Sequence, residues 1–279
     1  MTGRDRVLVS AGELLRRLDA GERPVILDVR WRLDRPDGRP AYLAGHLPGA
    51  VYVSLEDELS DHSVTGRGRH PLPSGAVLQT AARRWGITAD CPVIVYDDWN
   101  RAGSARARWV LTAAGLTDVR ILDGGLSAWT AAGGTVETGA VIAVEGDVVL
   151  SQPDLYTGAR ATLSAEQIAA GEVATLIDAR APERFSGAVE PIDPVAGHIP
   201  GAVNLPSVSV LDDSGRFRPA AEIGALVTEA AEPVGVYCGS GVTAAVVIAA
   251  LDAAGIDAAL FPGSWSQWSS DPGLPVERG

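Results

Sequence analysis

The sequence predicts an α/β fold built as two tandem domains, each a mainly parallel sheet flanked by helices. Three observations predict it: the length, an internal repeat, and short Val/Ile-rich runs alternating with helical stretches. The chain has 279 residues, and domains typically hold about 100–200. Its first half reads VILDVR (25–30), AGHLPGAVYV (44–53), VIVYDD (93–98) and ILDGGLSAW (121–129). Its second half reads TLIDAR (175–180), AGHIPGAVNLP (196–206), VGVYCG (234–239) and LFPGSWSQW (260–268), in the same order. Ordered matches of this quality mark a duplicated domain.

Within each half the runs Val25–Asp28, Val93–Tyr96, Leu176–Asp178 and Val234–Tyr237 are apolar without alternation. Strands covered on both faces of a parallel sheet have that pattern. Helical stretches lie between them at Ala76–Trp85, Ser104–Ala114, Ala220–Ala230 and Thr243–Ala254, and Gly115 and Gly255 stop two of these. Strands alternating with helices give the parallel α/β arrangement. The predicted domains are 1–138 and 161–279, joined by a linker at 139–160. The copies differ in one interval. His46 to Tyr96 spans 50 positions, whereas His198 to Tyr237 spans 39. The excess includes the loop LSDHSVTGRGRHPLP (59–73), which holds two of the four histidines. Loops that grow on one copy are candidates for function.

Composition narrows the partners. Hydrophobic residues make up 46% and charged residues 21%, as in globular proteins. Lys and Arg number 23 against 35 Asp and Glu, a net charge of −12. Nucleic acid and anionic membranes need a basic face and are not expected partners. An anionic substrate, by the same argument, needs a local cation. The N-terminus has no apolar core of signal-peptide length, and the longest largely apolar stretch, Val242–Leu251, is too short to span a bilayer. Cys91 and Cys238 form neither a CxxC pair nor a disulfide framework, so a cytoplasmic location is expected. The histidines and cysteines show no metal-ligand spacing, and neither a metal nor a prosthetic cofactor is implied.

Cys238 carries the chemistry. It ends a buried strand, where open α/β sheets place their ligands. The turn Gly239-Ser240-Gly241 has little enough bulk to wrap backbone N–H groups around one atom, and a helix starting near Val242 or Thr243 adds its positive end. Such a cradle favours a thiolate, and it reaches equally to the outer sulfur of a persulfide. The matching residue in the first half is Asp97, followed by Asp98-Trp99-Asn100-Arg101, which reads as no anion cradle. Cys91, just before a strand, reads as structural. So do His46, His198, Asp28 and Asp178, because both copies keep them.

At these residues the chain resembles the rhodanese superfamily, specifically the tandem-domain sulfurtransferases. AGHIPGAVN, its partner AGHLPGAVY and the closing Gly263-x-x-x-x-Trp268 all fit. The resemblance implies two rhodanese-like domains, of which the C-terminal one is catalytic and the N-terminal one inactive. The loop Cys238-Gly239-Ser240-Gly241-Val242-Thr243 is similar to that of the 3-mercaptopyruvate sulfurtransferases, whereas thiosulfate enzymes usually place basic residues after the cysteine. It also implies that His70 and Asp61 join Ser240 in a proton-handling triad. Arg184 would hold the substrate carboxylate, and Gly239, Gly241, Val242 and Thr243 would line the substrate loop. The expected reaction carries sulfur from 3-mercaptopyruvate, or from thiosulfate as the alternative, to a thiol or cyanide acceptor, with thioredoxin a candidate. The family's second arginine has no counterpart: VEPIDPVAGH (189–198) has Ile192 near that place. A Cys-x5-Arg phosphatase is excluded because Ala244 stands where its arginine must be. A non-catalytic binding module fits the fold but not the intact cysteine loop.

Overall fold

The computed structural model describes residues 3–279 and contains two sheets of parallel strands, one per repeat. The first sheet has β1 (Leu8–Val9), β2 (Val25–Asp28), β3 (Val51–Tyr52), β4 (Val93–Tyr96) and β5 (Val119–Leu122). Their spatial order is β1-β5-β4-β2-β3. The second sheet has β6 (Thr175–Asp178), β7 (Val203–Asn204), β8 (Val234–Tyr237) and β9 (Ala259–Leu260), in the order β7-β6-β8-β9. Strand β2 pairs with β4 from Val25↔Val93 to Asp28↔Tyr96, and β6 pairs with β8 from Thr175↔Val234 to Asp178↔Tyr237. The repeated sequence therefore folds into a repeated register. At the place of β1, the second copy keeps only a parallel bridge, Thr162↔Leu260.

Every residue of β4 and β8 is buried, which is why neither alternates. The helices observed are Gly75–Arg84, Ala102–Ala113, Ala220–Leu226 and Ala244–Ala254. The third ends earlier than its pattern suggests: the chain leaves the helical conformation at Val227 (φ −124°), whose N–H donates to the Gly224 carbonyl (3.3 Å). Residues 139–160 hold no helix or strand but are fastened to the first half. Val141 N–H donates to Tyr42 Oη (3.0 Å), Gly146 N–H to the Arg83 carbonyl (2.8 Å) and Val148 N–H to the Ile87 carbonyl (3.2 Å).

The copies meet through equivalent helices, Ala102–Ala113 and Ala244–Ala254, each following its copy's central strand. The latter, AAVVIAALDAA, is apolar except for Asp252, because one face covers β8 and another the partner helix. At the seam Asp252 accepts from Arg108 Nη1 (2.7 Å) and Arg160 Nη2 (2.8 Å), with Arg108 and Asp252 less than a tenth exposed. Removing one partner of a buried pair strands the other charge. Asp252→Ala should therefore lower unfolding stability in urea by about 3 kcal/mol; a loss below about 1 kcal/mol would show that the seam does not depend on the pair.

Candidate active site

Cys238 sits at the carboxyl end of β8, and its main chain is clipped to the segment 264–266. Cys238 N–H donates to Ser264 Oγ (3.1 Å), while the Cys238 and Gly239 carbonyls accept from Trp265 N–H (3.0 Å) and Ser266 N–H (2.9 Å). Ser264 takes a left-handed backbone (φ 52°) and its hydroxyl donates to the Phe261 carbonyl (2.9 Å). Gly241 is required twice over: its φ is +75°, and a Cβ would stand 2.5 Å from the Pro262 carbonyl oxygen. Among the described residues, none of the backbone N–H groups from Gly239 to Thr243 has an acceptor within the protein. Consecutive donors left unpaired beside a helix start form an anion-binding concavity. Val242 buries its side chain in the core and offers the loop only its main chain. Thr243 stands at the N-cap position of the helix Ala244–Ala254 without a side-chain capping bond.

The first copy shows what such a loop binds. Asp97, at the end of β4, turns its carboxylate back onto its own loop. Oδ1 accepts from the N–H groups of Trp99 (3.1 Å) and Arg101 (3.3 Å), and Oδ2 from the N–H (3.1 Å) and hydroxyl (2.6 Å) of Ser104. The expectation that this loop is no anion cradle is overturned. The cradle is present, and the aspartate side chain is long enough to fill it from within.

The loop 59–73 crosses onto the second copy, where Arg69 N–H donates to Ser266 Oγ (3.0 Å). This docking brings His70 Nδ1 to 2.7 Å from Ser240 Oγ, as the resemblance implied. Asp61 is not the third member. Its carboxylate accepts from Ser63 N–H (3.0 Å) and Ser63 Oγ (2.5 Å) in a local turn, with no bond to His70. Glu56, in the short helix Leu55–Glu58, takes that place, with Oε1 3.2 Å from His70 Nε2. Trp31 Nε1–H donates to the same oxygen (2.6 Å) and His62 Nε2 meets Oε2 (2.9 Å). Burial works to raise the Glu56 carboxyl, but the bonds from His70 and Trp31 outweigh it and bring it down to about 2. Burial lowers His70 from 6.5, with Glu56 opposing. A carboxylate at Nε2 fixes the ring proton there, leaving Nδ1 to accept the Ser240 hydroxyl proton. The acidic run Glu56-Asp57-Glu58 just before the loop was the sequence signal for this partner.

Arg184, in the short helix Pro182–Phe185, donates from Nη2 to Glu190 Oε1 (2.7 Å) and Asp193 Oδ2 (3.0 Å). Arg69 Nη1 donates to the other Asp193 oxygen. A Cβ built on Gly239 would lie 3.0 Å from Arg69 Nη2 and 3.3 Å from Arg184 Nη1. Two guanidiniums thus roof the cysteine loop, and beneath them Cys238 is only 1% exposed. The roof is polar, and the Arg69 side chain is 28% exposed. Arg69 was missed in the sequence; it lies next to His70 and supplies the second cation that VEPIDPVAGH lacks. The duplicated residues pair locally. His46 and His198 bond the Tyr42 and Phe185 carbonyls, and Asp28 and Asp178 pair with Arg30 and Arg180. Cys91 Sγ accepts from Thr88 N–H (3.3 Å).

Comparison with known proteins bears on the same segments. The rhodanese-like domain profile matches residues 10–132 and 161–271, once in each copy. The chain belongs to the rhodanese family. This rhodanese is 63% identical, across its whole length and 99% of the relative's, to a Mycobacterium tuberculosis protein provisionally named thiosulfate sulfurtransferase SseB. It is 37% identical to the 3-mercaptopyruvate sulfurtransferase of Escherichia coli K12, over 90% of this chain and 91% of that one. The crystal structure of SseA from E. coli, a 3-mercaptopyruvate sulfurtransferase, superposes with a TM-score of 0.79 at 34% identity, covering 93% of this rhodanese and 98% of SseA. Asp97→Ala should strip the acceptor from the donors of the first rhodanese domain. The expected loss is about 1–3 kcal/mol of unfolding stability, read from urea melts; an unchanged midpoint would mean that water satisfies the loop equally well.

Proposed function

We propose that this sulfurtransferase takes sulfur from 3-mercaptopyruvate onto Cys238 as a persulfide and passes it to a thiol or cyanide acceptor. In this reading residues 1–138 form an inactive domain, 139–160 the linker and 161–279 the catalytic domain. The observation that carries the choice of donor is the 2.7 Å contact between His70 Nδ1 and Ser240 Oγ beside the amide-lined loop. Thiosulfate leaves as sulfite and needs no proton relay. Mercaptopyruvate leaves as an enolate and does.

The Cys238 thiolate attacks the donor sulfur, forming the S–S bond as the C–S bond breaks, and the bonding electrons pass into the enolate of pyruvate. Ser240 donates to the developing enolate oxygen. The proton of the donor thiol moves through Ser240 and His70 to the enolate, which becomes pyruvate, and the enzyme keeps a persulfide anion in the amide cradle. An acceptor thiolate or cyanide then attacks the outer sulfur and restores the Cys238 thiolate. Arg69 and Arg184 take the donor carboxylate by exchanging Asp193 for it, which supplies the local cations that a charge of −12 requires. The paired guanidiniums also suit a dianion, and this keeps thiosulfate as the alternative donor. The acceptors proposed are thiols, thioredoxin among them, in a cytoplasmic setting. Among the described residues no helix is long and apolar enough to cross a membrane.

Donor treatment should add about 32 Da, one sulfur atom, to the wild type. If Cys238→Ser gains the same mass, the nucleophile is misassigned. His70→Ala, Ser240→Ala and Glu56→Gln should each lower kcat/KM for mercaptopyruvate by about 10²–10⁴-fold and spare thiosulfate, while Asp61→Asn should change neither. Equal losses with both donors would remove the relay. Because burial holds His70 below its ordinary 6.5, mercaptopyruvate turnover should persist as pH falls to that value and drop only beneath it. The unfolded chain takes up the His70 proton first, so this residue's contribution to stability is present above 6.5 and is lost on acidification. A plateau ending above pH 7 would contradict a neutral His70.

A further inference from the structure

Among the described residues five arginines are buried: Arg30, Arg101, Arg106, Arg108 and Arg180. Four are matched by carboxylates, with Asp28, Asp97, Asp252 and Asp178 respectively. Arg106 is the exception. Its side chain, from the helix Ala102–Ala113 of the inactive copy, is wholly buried, yet among the described residues it has no carboxylate within ion-pair distance. Its acceptors are neutral carbonyls. Nη2 donates to Leu59 O (3.1 Å) and His70 O (2.9 Å), at the two ends of the segment that delivers His70, and Nη1 donates to Gly241 O (3.3 Å), inside the cysteine loop. Nε is buried without a partner. A buried guanidinium without a counter-ion is costly, and proteins ordinarily pair it.

Resting on the persulfide reading above, we propose that the missing counter-ion is the sulfur of Cys238. Arg106 is a positioning residue: it ties the cysteine loop to the His70 segment across the domain seam, and its charge neutralises first the thiolate and then the persulfide anion. The other groups around the loop do not do this. Arg184 is matched by Glu190 and shares Asp193 with Arg69 at the mouth, and His70 is held neutral between Glu56 and Ser240. Tyr156, which lies near the guanidinium, is kept protonated by burial. Sulfur thus sits between an amide nest and a cation fixed from behind. The inactive copy contributes that cation.

The test uses the full chain with Cys91→Ser, so that only Cys238 reacts with neutral iodoacetamide, and follows alkylation by mass spectrometry from pH 5 to 9. Arg106→Met should slow alkylation about tenfold at pH 7 and regain the parent rate as pH rises. Arg106→Lys, which keeps the charge and loses the fork, should stay within about threefold of the parent. If Arg106→Met folds and follows the parent profile, the inference is overturned. If donor still loads sulfur on Cys238 in that variant at the parent rate, the persulfide reading stands without it. Should Arg106→Met fail to fold, thermal melts of the parent and Cys238→Ser decide. Serine leaves the guanidinium unmatched, so the melting gap should be wide at pH 8 and close at pH 5, because a paired anion stabilises at high pH and loses that contribution on protonation. A gap of the same size at both pH values overturns the proposal.

Discussion

The constraint on which the rest of this structure depends is a ring of amide hydrogens at the end of a parallel strand that must face something negative. Both copies build the ring in the same register, from a central strand, a tight turn and a buried helix. In the first copy the ring closes on the Asp97 carboxylate. In the second the strand is followed by a thiol, and among the described residues the amides of Gly239 to Thr243 have no acceptor. Ser264, Gly241 and the 264–266 segment then become intelligible as the parts that hold this open ring in shape.

Duplication let the two copies divide the work. The second copy contributes the sulfur, the amide ring, Ser240 and Arg184. The first has Asp97 where the second has Cys238 and carries a longer loop, through which it places His70 and Arg69 on its neighbour, with Glu56 bonded to the imidazole. The site is therefore a seam between domains. The local charge is balanced at the same place, since the two guanidiniums gathered over the cysteine loop are held by Glu190 and Asp193.

Much of this was legible in the residues. The repeat predicted two sheets, and unalternating runs such as VIVY and VGVY gave the central strands to within a residue. Cys238 and Ser240 were visible because turn chemistry is local: small residues after a buried strand restrict what the backbone can do. Glu56 and Arg69 were not, because their roles depend on how the loop 59–73 lies across the other copy, and spacing carries no record of that path. Asp61 misled for the same reason; its nearest partner, Ser63, is two residues away and satisfies it locally. The filled cradle at Asp97 is not legible in the sequence, because an aspartate in the cysteine's place reads as the loss of a site, whereas its carboxylate occupies the cradle from within.

The arginine roof has a consequence for the loaded enzyme. A persulfide is a labile cargo, open to oxidants and to any passing thiol. With Arg69 and Arg184 latched through Asp193, the outer sulfur would travel in a closed compartment whose door is electrostatic rather than a hinged loop. Such a door answers to anions, so the donors able to load the enzyme are those whose own charge can take the place of Asp193. Fidelity of delivery then resides in the latch more than in the sulfur itself.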